Sequence, residues 1–237
     1  LNIKYIYNNI SSDAHVLFHS SNDMFVKLGI EEYLKGKDYL FNFRRVNSFF
    51  TYWWVGAVAK QDKKLLNLLK LHNSSMIIGS QIEGSMYKID LLMRIIELCE
   101  NHNLLESQLH YPREEIVFSS LANALNIKSD GLPYVLSEVH RFDSKLWKFF
   151  MKYKRIHRND LLRKIVNTIF FRSKFYEIKP KDIEAIRNND IKYLEKFEYL
   201  YDGDNKWKIF NSNNLFAVKR VEREINNPLR IYNRGLN

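Results

Sequence analysis

Two carboxylates at the start of a predicted helix offer the clearest chemistry in this sequence. Pro112 stands where a first helical residue is favoured, and Glu114 and Glu115 follow in the first turn. A carboxylate can take a proton from a hydroxyl group when burial raises its pKa toward the working pH. Acidic residues in a first turn also stabilise the helix dipole. Residue type alone therefore leaves both roles open for Glu115.

Other catalytic patterns are missing from the sequence. It contains no P-loop, GxGxxG, HExxH or GxSxG motif. His15 and His19 have the spacing of helical metal ligands, but they lie in a predicted strand. The single cysteine, Cys99, excludes an intrachain disulfide and favours a buried, inert thiol in a reducing cytosolic setting. The residues predict neither a metal site nor a nucleophilic triad.

Alternating short elements surround these residues. Strands are predicted at 1–7, 15–19 and 76–80, and residues 40–58 indicate further strands or a packed loop. Helices are predicted at 30–36, 62–72, 85–102 and 112–125. The polar turn 20–23 follows the second strand, and such a transition commonly carries binding residues. The pattern predicts an α/β fold.

The character of the chain changes after Gly131, Leu132 and Pro133. Residues 143–200 predict successive short helices with a break at Lys179 and Pro180. We therefore divide the chain into an α/β part (1–130), a helical segment (131–200) and a C-terminal segment (201–237) that packs back on the first part.

Positive charge is in excess. The 237 residues include 37 Lys and Arg against 27 Asp and Glu, a net charge of +10 that attracts phosphate groups. Basic and aromatic residues interleave at 147–164, a mixture that suits an anionic membrane surface, a nucleic acid or a solvated helix face. The apolar runs are shorter than the roughly 20 residues of a spanning helix.

Four segments, in this order, resemble one enzyme family. They are SSNDMFVK (20–27), GSQIEGSMY (79–87), YPREEIVFSS (111–120) and GDNKW…LFAVKR (203–220). They resemble the core-2/I-branching β-N-acetylglucosaminyltransferases and peptide xylosyltransferases, and the bacterial relatives of these enzymes in capsule and lipopolysaccharide assembly. Val26 stands where the family usually has proline. The resemblance covers residues 15–125 and 202–220.

The resemblance implies a fold and a set of site residues. The fold is an incomplete GT-A-like (Rossmann-like) glycosyltransferase domain with a mostly helical C-terminal part. Glu115 corresponds to the catalytic base, Lys219 to the lysine that holds the donor diphosphate, and Arg220 is assigned beside it. The implied sugar and acceptor pocket consists of Asp23, Ser80, Gln81, Glu83, Glu114 and Trp207.

The resemblance also implies an N-terminally truncated chain. The family carries a βαβ segment that binds the nucleotide before the strand equivalent to 15–19, and this chain has 14 residues there.

The implied reaction is inverting and independent of metal ions. A UDP-sugar donates its sugar, an N-acetylhexosamine or a related sugar, to a saccharide or lipid-linked saccharide of the bacterial cell envelope, with no cofactor. The expected location is the cytoplasm, peripheral at the inner face of the membrane through residues 147–164, and no nucleic acid is expected. Two alternatives remain: an inactive remnant that serves as a sugar-binding module, and a basic nucleic-acid-binding protein.

Overall fold

The structure, a computed structural model, describes residues 2–10, 13–41, 44–46, 54–80, 82–125, 135–136, 140–141, 174–175, 178–194, 214–219 and 221–235. The described helices are α1 (Asn2–Asn9), α2 (Ile30–Leu34), α3 (Trp54–Ala59), α4 (Lys63–Leu71), α5 (Ile89–Asn101), α6 (Val117–Ala124), α7 (Pro180–Arg187), α8 (Ile191–Leu194) and α9 (Pro228–Gly235). Short 3-10 helices cover Leu104–Glu106 and Arg113–Glu115. The described strands are β1 (His15–Leu17), β2 (Met24–Phe25), β3 (Tyr39–Leu40), β4 (Arg44–Arg45), β5 (Ile78–Gly79), β6 (Met86–Lys88), β7 (Val135–Leu136), β8 (His140–Arg141), β9 (Lys174–Phe175) and β10 (Ala217–Val218).

Two three-stranded sheets organise the described residues. In the first, β6 lies between β1 and β3 and is antiparallel to both. In the second, β10 lies between β2 and β7, antiparallel to β2 and parallel to β7. Antiparallel pairs β4 with β5 and β8 with β9 complete the sheets. Because β10 pairs with β2, the end of the chain returns to the polar turn near its beginning.

The main core packs helices against the first sheet. Its largest fully buried side chain is Tyr87 of β6, whose ring lies 6.0 Å from Phe118 of α6 and 6.1 Å from Phe18. Helix α5 buries Leu92 and Ile95 in the same cluster, as its amphipathic pattern predicts. This aromatic cluster packs α6 against β6 and against Phe18, which follows β1.

Helix α4 confirms the prediction for residues 62–72. Asp62 caps its first turn by accepting hydrogen bonds from the backbone N–H groups of Lys64 and Leu65. The Tyr111 hydroxyl donates to the other Asp62 oxygen at 3.0 Å. Buried Asp62 therefore ties the start of α4 to the segment that leads into Arg113–Glu115.

A second core supports the β2 and β10 pair. Ile183 and Ile186 of α7 pack with Val218 of β10. The Arg187 Nε donates to the Val26 carbonyl at 2.6 Å, and the Asn233 amide of α9 donates to the Phe25 carbonyl at 2.9 Å. Helix α7 begins at Pro180, which confirms the predicted break. These hydrogen bonds from α7 and α9 hold β2 and the residue after it in place.

Several sequence predictions were wrong in part or in full. Strand β9 lies inside residues 143–200, which were predicted as successive short helices, and the predicted helix 112–125 consists of the 3-10 helix Arg113–Glu115 followed by α6. Residues 1–7 were predicted as a strand, but α1 covers Asn2–Asn9, because Ile3 packs on the core and Lys4 Nζ lies 2.7 Å from Glu100 of α5. Residues 86–88 form the central strand β6 instead of the start of a helix, since both neighbouring strands pair with them. In the 40–58 region, α3 begins at Trp54.

Within the described ranges, helices are too short or too polar to cross a bilayer.

Candidate functional site

A surface cleft of about 520 Å³ lies where the first, second and last of the resembling segments meet. Its described lining residues are Ser20, Asn22, Glu83, Lys219, Val221, Glu222 and Arg223. Polar turns and a strand end supply these residues. The lining of the cleft therefore combines hydroxyl, amide, carboxylate and cationic groups.

The turn 20–23 is fixed by Asp23 from within. The Asp23 carboxylate accepts from the Ser20 N–H at 2.8 Å, and the Ser20 carbonyl accepts from the Asp23 N–H at 3.0 Å. Asp23 is only 4% exposed, and its second oxygen, Oδ1, has no hydrogen-bond partner among the described residues. Asp23 thus shapes the turn, while Ser20 and Asn22 face the cleft.

His19 directly precedes this turn. Its pKa is lowered by burial, an effect that the Asp23 carboxylate opposes and the Arg230 guanidinium strengthens. The ring stacks on Phe25 at 4.5 Å, and Nδ1 lies 3.9 Å from Asp23 Oδ2. The distance is too long for a hydrogen bond.

A second turn, 82–85, carries Glu83 to the cleft. The Gly84 N–H donates to the Phe18 carbonyl and the Phe18 N–H donates to the Ser85 carbonyl, both at 2.9 Å. Gly84 has φ of 85°, a left-handed conformation that glycine adopts without steric cost. Because this backbone is fastened to residue 18, Glu83 lies beside the turn that follows β1.

Lys219 is the charged centre of the cleft. It follows directly after β10, and its side chain is only 7% exposed. Its Nζ lies 2.9 Å from Glu83 Oε2, which joins the second and fourth resembling segments. The Val221 N–H donates to the Asn22 carbonyl at 2.8 Å and holds the chain after Lys219 against the turn 20–23.

Two arginines near the cleft were missed by the sequence analysis. Arg223 lines it, four residues after Lys219 in the charged run KRVER (219–223), which was an available signal. Arg230 of α9 donates to the carbonyls of Glu222 at 2.6 Å and Ser21 at 3.2 Å. No local pattern indicates this role for Arg230, because its partners become neighbours only through the pairing of β2 with β10.

Glu115 ends the 3-10 helix Arg113–Glu115 and is half-buried, whereas Glu114 is exposed. The Glu115 carbonyl accepts from the N–H of buried Ser80 at 2.7 Å. Glu115 is not among the described residues that line the cleft. The structure thus brings the second and third segments together through their backbones.

Serine hydroxyls reinforce this junction. The Ser120 hydroxyl accepts from the Ile78 N–H at 2.9 Å and donates to the Ile78 carbonyl at 3.0 Å. The Ser119 hydroxyl donates to the same carbonyl at 2.8 Å. These bonds satisfy backbone groups of β5 on the side that faces α6.

Several predicted positions lie outside the described residues: Gln81, Trp207, Arg220 and the basic segment 147–164. Among the residues that are described, no group of three or more His, Cys, Asp or Glu side chains is arranged to hold a metal ion. Comparison of the chain with family models, curated proteins and solved structures finds no match.

Proposed function

We propose that this chain is an inverting glycosyltransferase that moves a sugar, of the N-acetylhexosamine type, from a UDP-sugar to a saccharide acceptor without a metal ion. The observation that supports it best is a buried cation, Lys219, in a polar cleft lined by residues of the first, second and last of the four family-like segments. The third segment is joined to the second by the hydrogen bond from the Ser80 N–H to the Glu115 carbonyl. A GT-A-like domain, a saccharide acceptor of the cell envelope and a location at the inner membrane face belong to the proposal through the resemblance.

A partly buried cation at the cleft supports this chemistry. As the sugar leaves the donor, negative charge grows on the diphosphate, and a fixed ammonium in a partly buried site stabilises that charge more than a solvated one does. Lys219 meets this description. Arg223 supplies a second, exposed positive charge at the same cleft.

One short segment of chain connects the proposed base, Glu115, to the residue that contacts the cation. The Glu115 carbonyl holds Ser80, and Ser80 lies three residues before Glu83, whose carboxylate contacts Lys219. Three residues span at most about 11 Å. In the proposed reaction the Glu115 carboxylate takes the proton of an acceptor hydroxyl, the hydroxyl oxygen bonds to the anomeric carbon, and the bond from that carbon to the UDP oxygen breaks.

Ligand binding tests the donor site. UDP and a panel of UDP-sugars should raise the melting temperature of the chain, because a ligand that binds only the folded state stabilises it. Lys219→Met should weaken UDP binding about tenfold or more, since it removes a charge-assisted contact. The matched control is Asp38→Asn, which breaks an exposed ion pair to Lys88 that also measures 2.9 Å. Equal UDP affinity in Lys219→Met and the natural chain would count against the assignment.

Transfer tests the base. Glu115→Gln should reduce the rate of sugar transfer by about 100-fold or more, the usual contribution of general base catalysis, while UDP-sugar affinity stays close to that of the natural chain. Release of UDP in the presence of saccharide acceptors gives the rate. Undiminished transfer by Glu115→Gln would exclude Glu115 as the base, and the absence of binding by every UDP-sugar would refute the proposed function.

A further inference from the structure

The ion pair between Glu83 and Lys219 occupies the contact that an anionic ligand needs. Lys219 Nζ lies 2.9 Å from Glu83 Oε2, and the side chains are 7% and 24% exposed. A carboxylate at this distance satisfies an ammonium much as a phosphate oxygen does. The ammonium has three N–H donors, so a phosphate can bind Lys219 either in place of Glu83 or beside it, where the two anions repel each other.

The surroundings allow the carboxylate to leave while its backbone stays in place. The turn 82–85 is fastened to Phe18 by two backbone hydrogen bonds. Glutamate has three side-chain torsions, and the Glu83 side chain borders the open cleft. Displacement therefore needs a change of side-chain rotamer and no refolding of the turn.

The freed carboxylate would remain in the same cleft. Ser20 and Asn22 stand on the opposite turn, and a carboxylate beside such groups is a strong acceptor for the hydroxyls of a sugar. When a diphosphate displaces Glu83 from Lys219, the Glu83 carboxylate thus becomes available to a sugar in the cleft.

We infer that Glu83 is a built-in competitor for the phosphate site: its carboxylate covers Lys219 until a diphosphate displaces it, and the displaced carboxylate then binds a hydroxyl of the acceptor sugar. The binding of the acceptor sugar by Glu83 rests on the proposed function. The competition between Glu83 and a diphosphate for Lys219 does not depend on that function. It imposes an order, in which the diphosphate-bearing donor binds before the acceptor.

Inorganic pyrophosphate is the direct probe. Titration calorimetry compares the natural chain with Glu83→Gln, which keeps the shape of the side chain and removes its charge. Loss of the competitor should raise pyrophosphate affinity about tenfold, within the usual range of coupling between binding events. Asp38→Asn is the matched control, because it removes one carboxylate from an ion pair of the same length whose residues do not line the cleft, and it should change the affinity less than about twofold.

Three outcomes would overturn the inference: unchanged affinity in Glu83→Gln, weaker affinity, or no pyrophosphate binding by either chain. Glu83→Asp guards against misfolding of the first variant, because the shorter carboxylate should give an intermediate gain. In a working transferase, Glu83→Gln should also raise KM for the acceptor while tightening the donor. Tighter pyrophosphate binding with no response to any UDP-sugar would retain the competitor and refute the proposed function.

Discussion

Replacement of Ser120 by alanine tests the junction that holds Glu115 beside Ser80. Ser120 and Ile78 are both fully buried, and the hydroxyl is the acceptor for the Ile78 N–H at 2.9 Å. Ser120→Ala leaves that N–H inside the core without this partner. An unsatisfied buried donor costs about 1–3 kcal/mol, and we expect the free energy of unfolding to fall by this amount.

The neighbouring serine provides the control. Ser119→Ala removes one hydrogen bond to the Ile78 carbonyl, but that carbonyl keeps Ser120 as a donor. The loss should therefore be smaller, about 0.5–1.5 kcal/mol, the net value of an ordinary hydrogen bond. Both variants gain the same helix propensity from alanine, so this contribution cancels when the two are compared. Ser120→Ala should be the less stable of the pair.

Urea unfolding followed by circular dichroism measures both variants. The double variant should lose more stability than the sum of the single ones, because each hydroxyl supports the same Ile78 carbonyl in the absence of the other. A Ser119→Ala loss equal to or larger than that of Ser120→Ala would refute the reasoning. So would a strictly additive double variant.

Three further predictions concern titration and backbone conformation. Burial lowers the His19 pKa in the folded state, so the unfolded state binds more protons below about pH 6.5 and the free energy of unfolding should fall as the pH falls. In urea unfolding, His19→Asn should lose less stability between pH 7.5 and pH 5 than the natural chain does. An equal loss in the two chains would contradict this prediction. Burial raises the Cys99 pKa to about 12. A thiol reagent at pH 8.5 should therefore react at least about 100-fold more slowly with the folded chain than with the urea-unfolded chain. Equal rates would show that the thiol is accessible in the folded chain. Gly84→Ala should lower the free energy of unfolding by about 1–2 kcal/mol, because an L side chain at φ of 85° is strained. Gly235→Ala is the control, because Gly235 lies at a helix end with open space around it. Equal melting temperatures of the two variants would show that Gly84 has another backbone conformation.

Local sequence signals predicted the helices whose ends are set by nearby residues. Asp62 marks the start of α4 and Pro180 the start of α7, and each acts through its own backbone neighbours. The boundary between β6 and α5 was not predictable in this way. Met86 and Tyr87 can belong to either element by spacing, and strand pairing on both sides decides it.

The first helix shows the same limit. Alternation in LNIKYIY favours a strand, whereas contact of Ile3 with the core and of Lys4 with Glu100 favours α1. Both contacts bring together residues that are distant in the chain. A pattern read along seven residues does not contain them, so tertiary packing overrides local preference here.

The residues of the cleft could be predicted from the sequence only in part, because tertiary contacts bring them together. Glu83 and Lys219 were predicted as separate site residues, but their contact depends on two pairings that are remote in sequence: β10 with β2, and the turn 82–85 with Phe18. Asp23 was predicted as a pocket residue, and in the structure its carboxylate accepts a hydrogen bond from the Ser20 N–H, which fixes the turn from inside.

The burial of the side chains indicates which residues fix the shape of the cleft and which can contact a ligand. Asp23 and Ser80 are almost fully buried and have backbone partners, so they set the positions of the turns and have little surface for a ligand. Glu83 and Lys219 hold each other across the cleft and retain access to it. A substitution in the first pair should therefore act on stability and on every ligand together, whereas one in the second pair should change the affinity for anions selectively. That contrast separates residues that build the cleft from residues that use it.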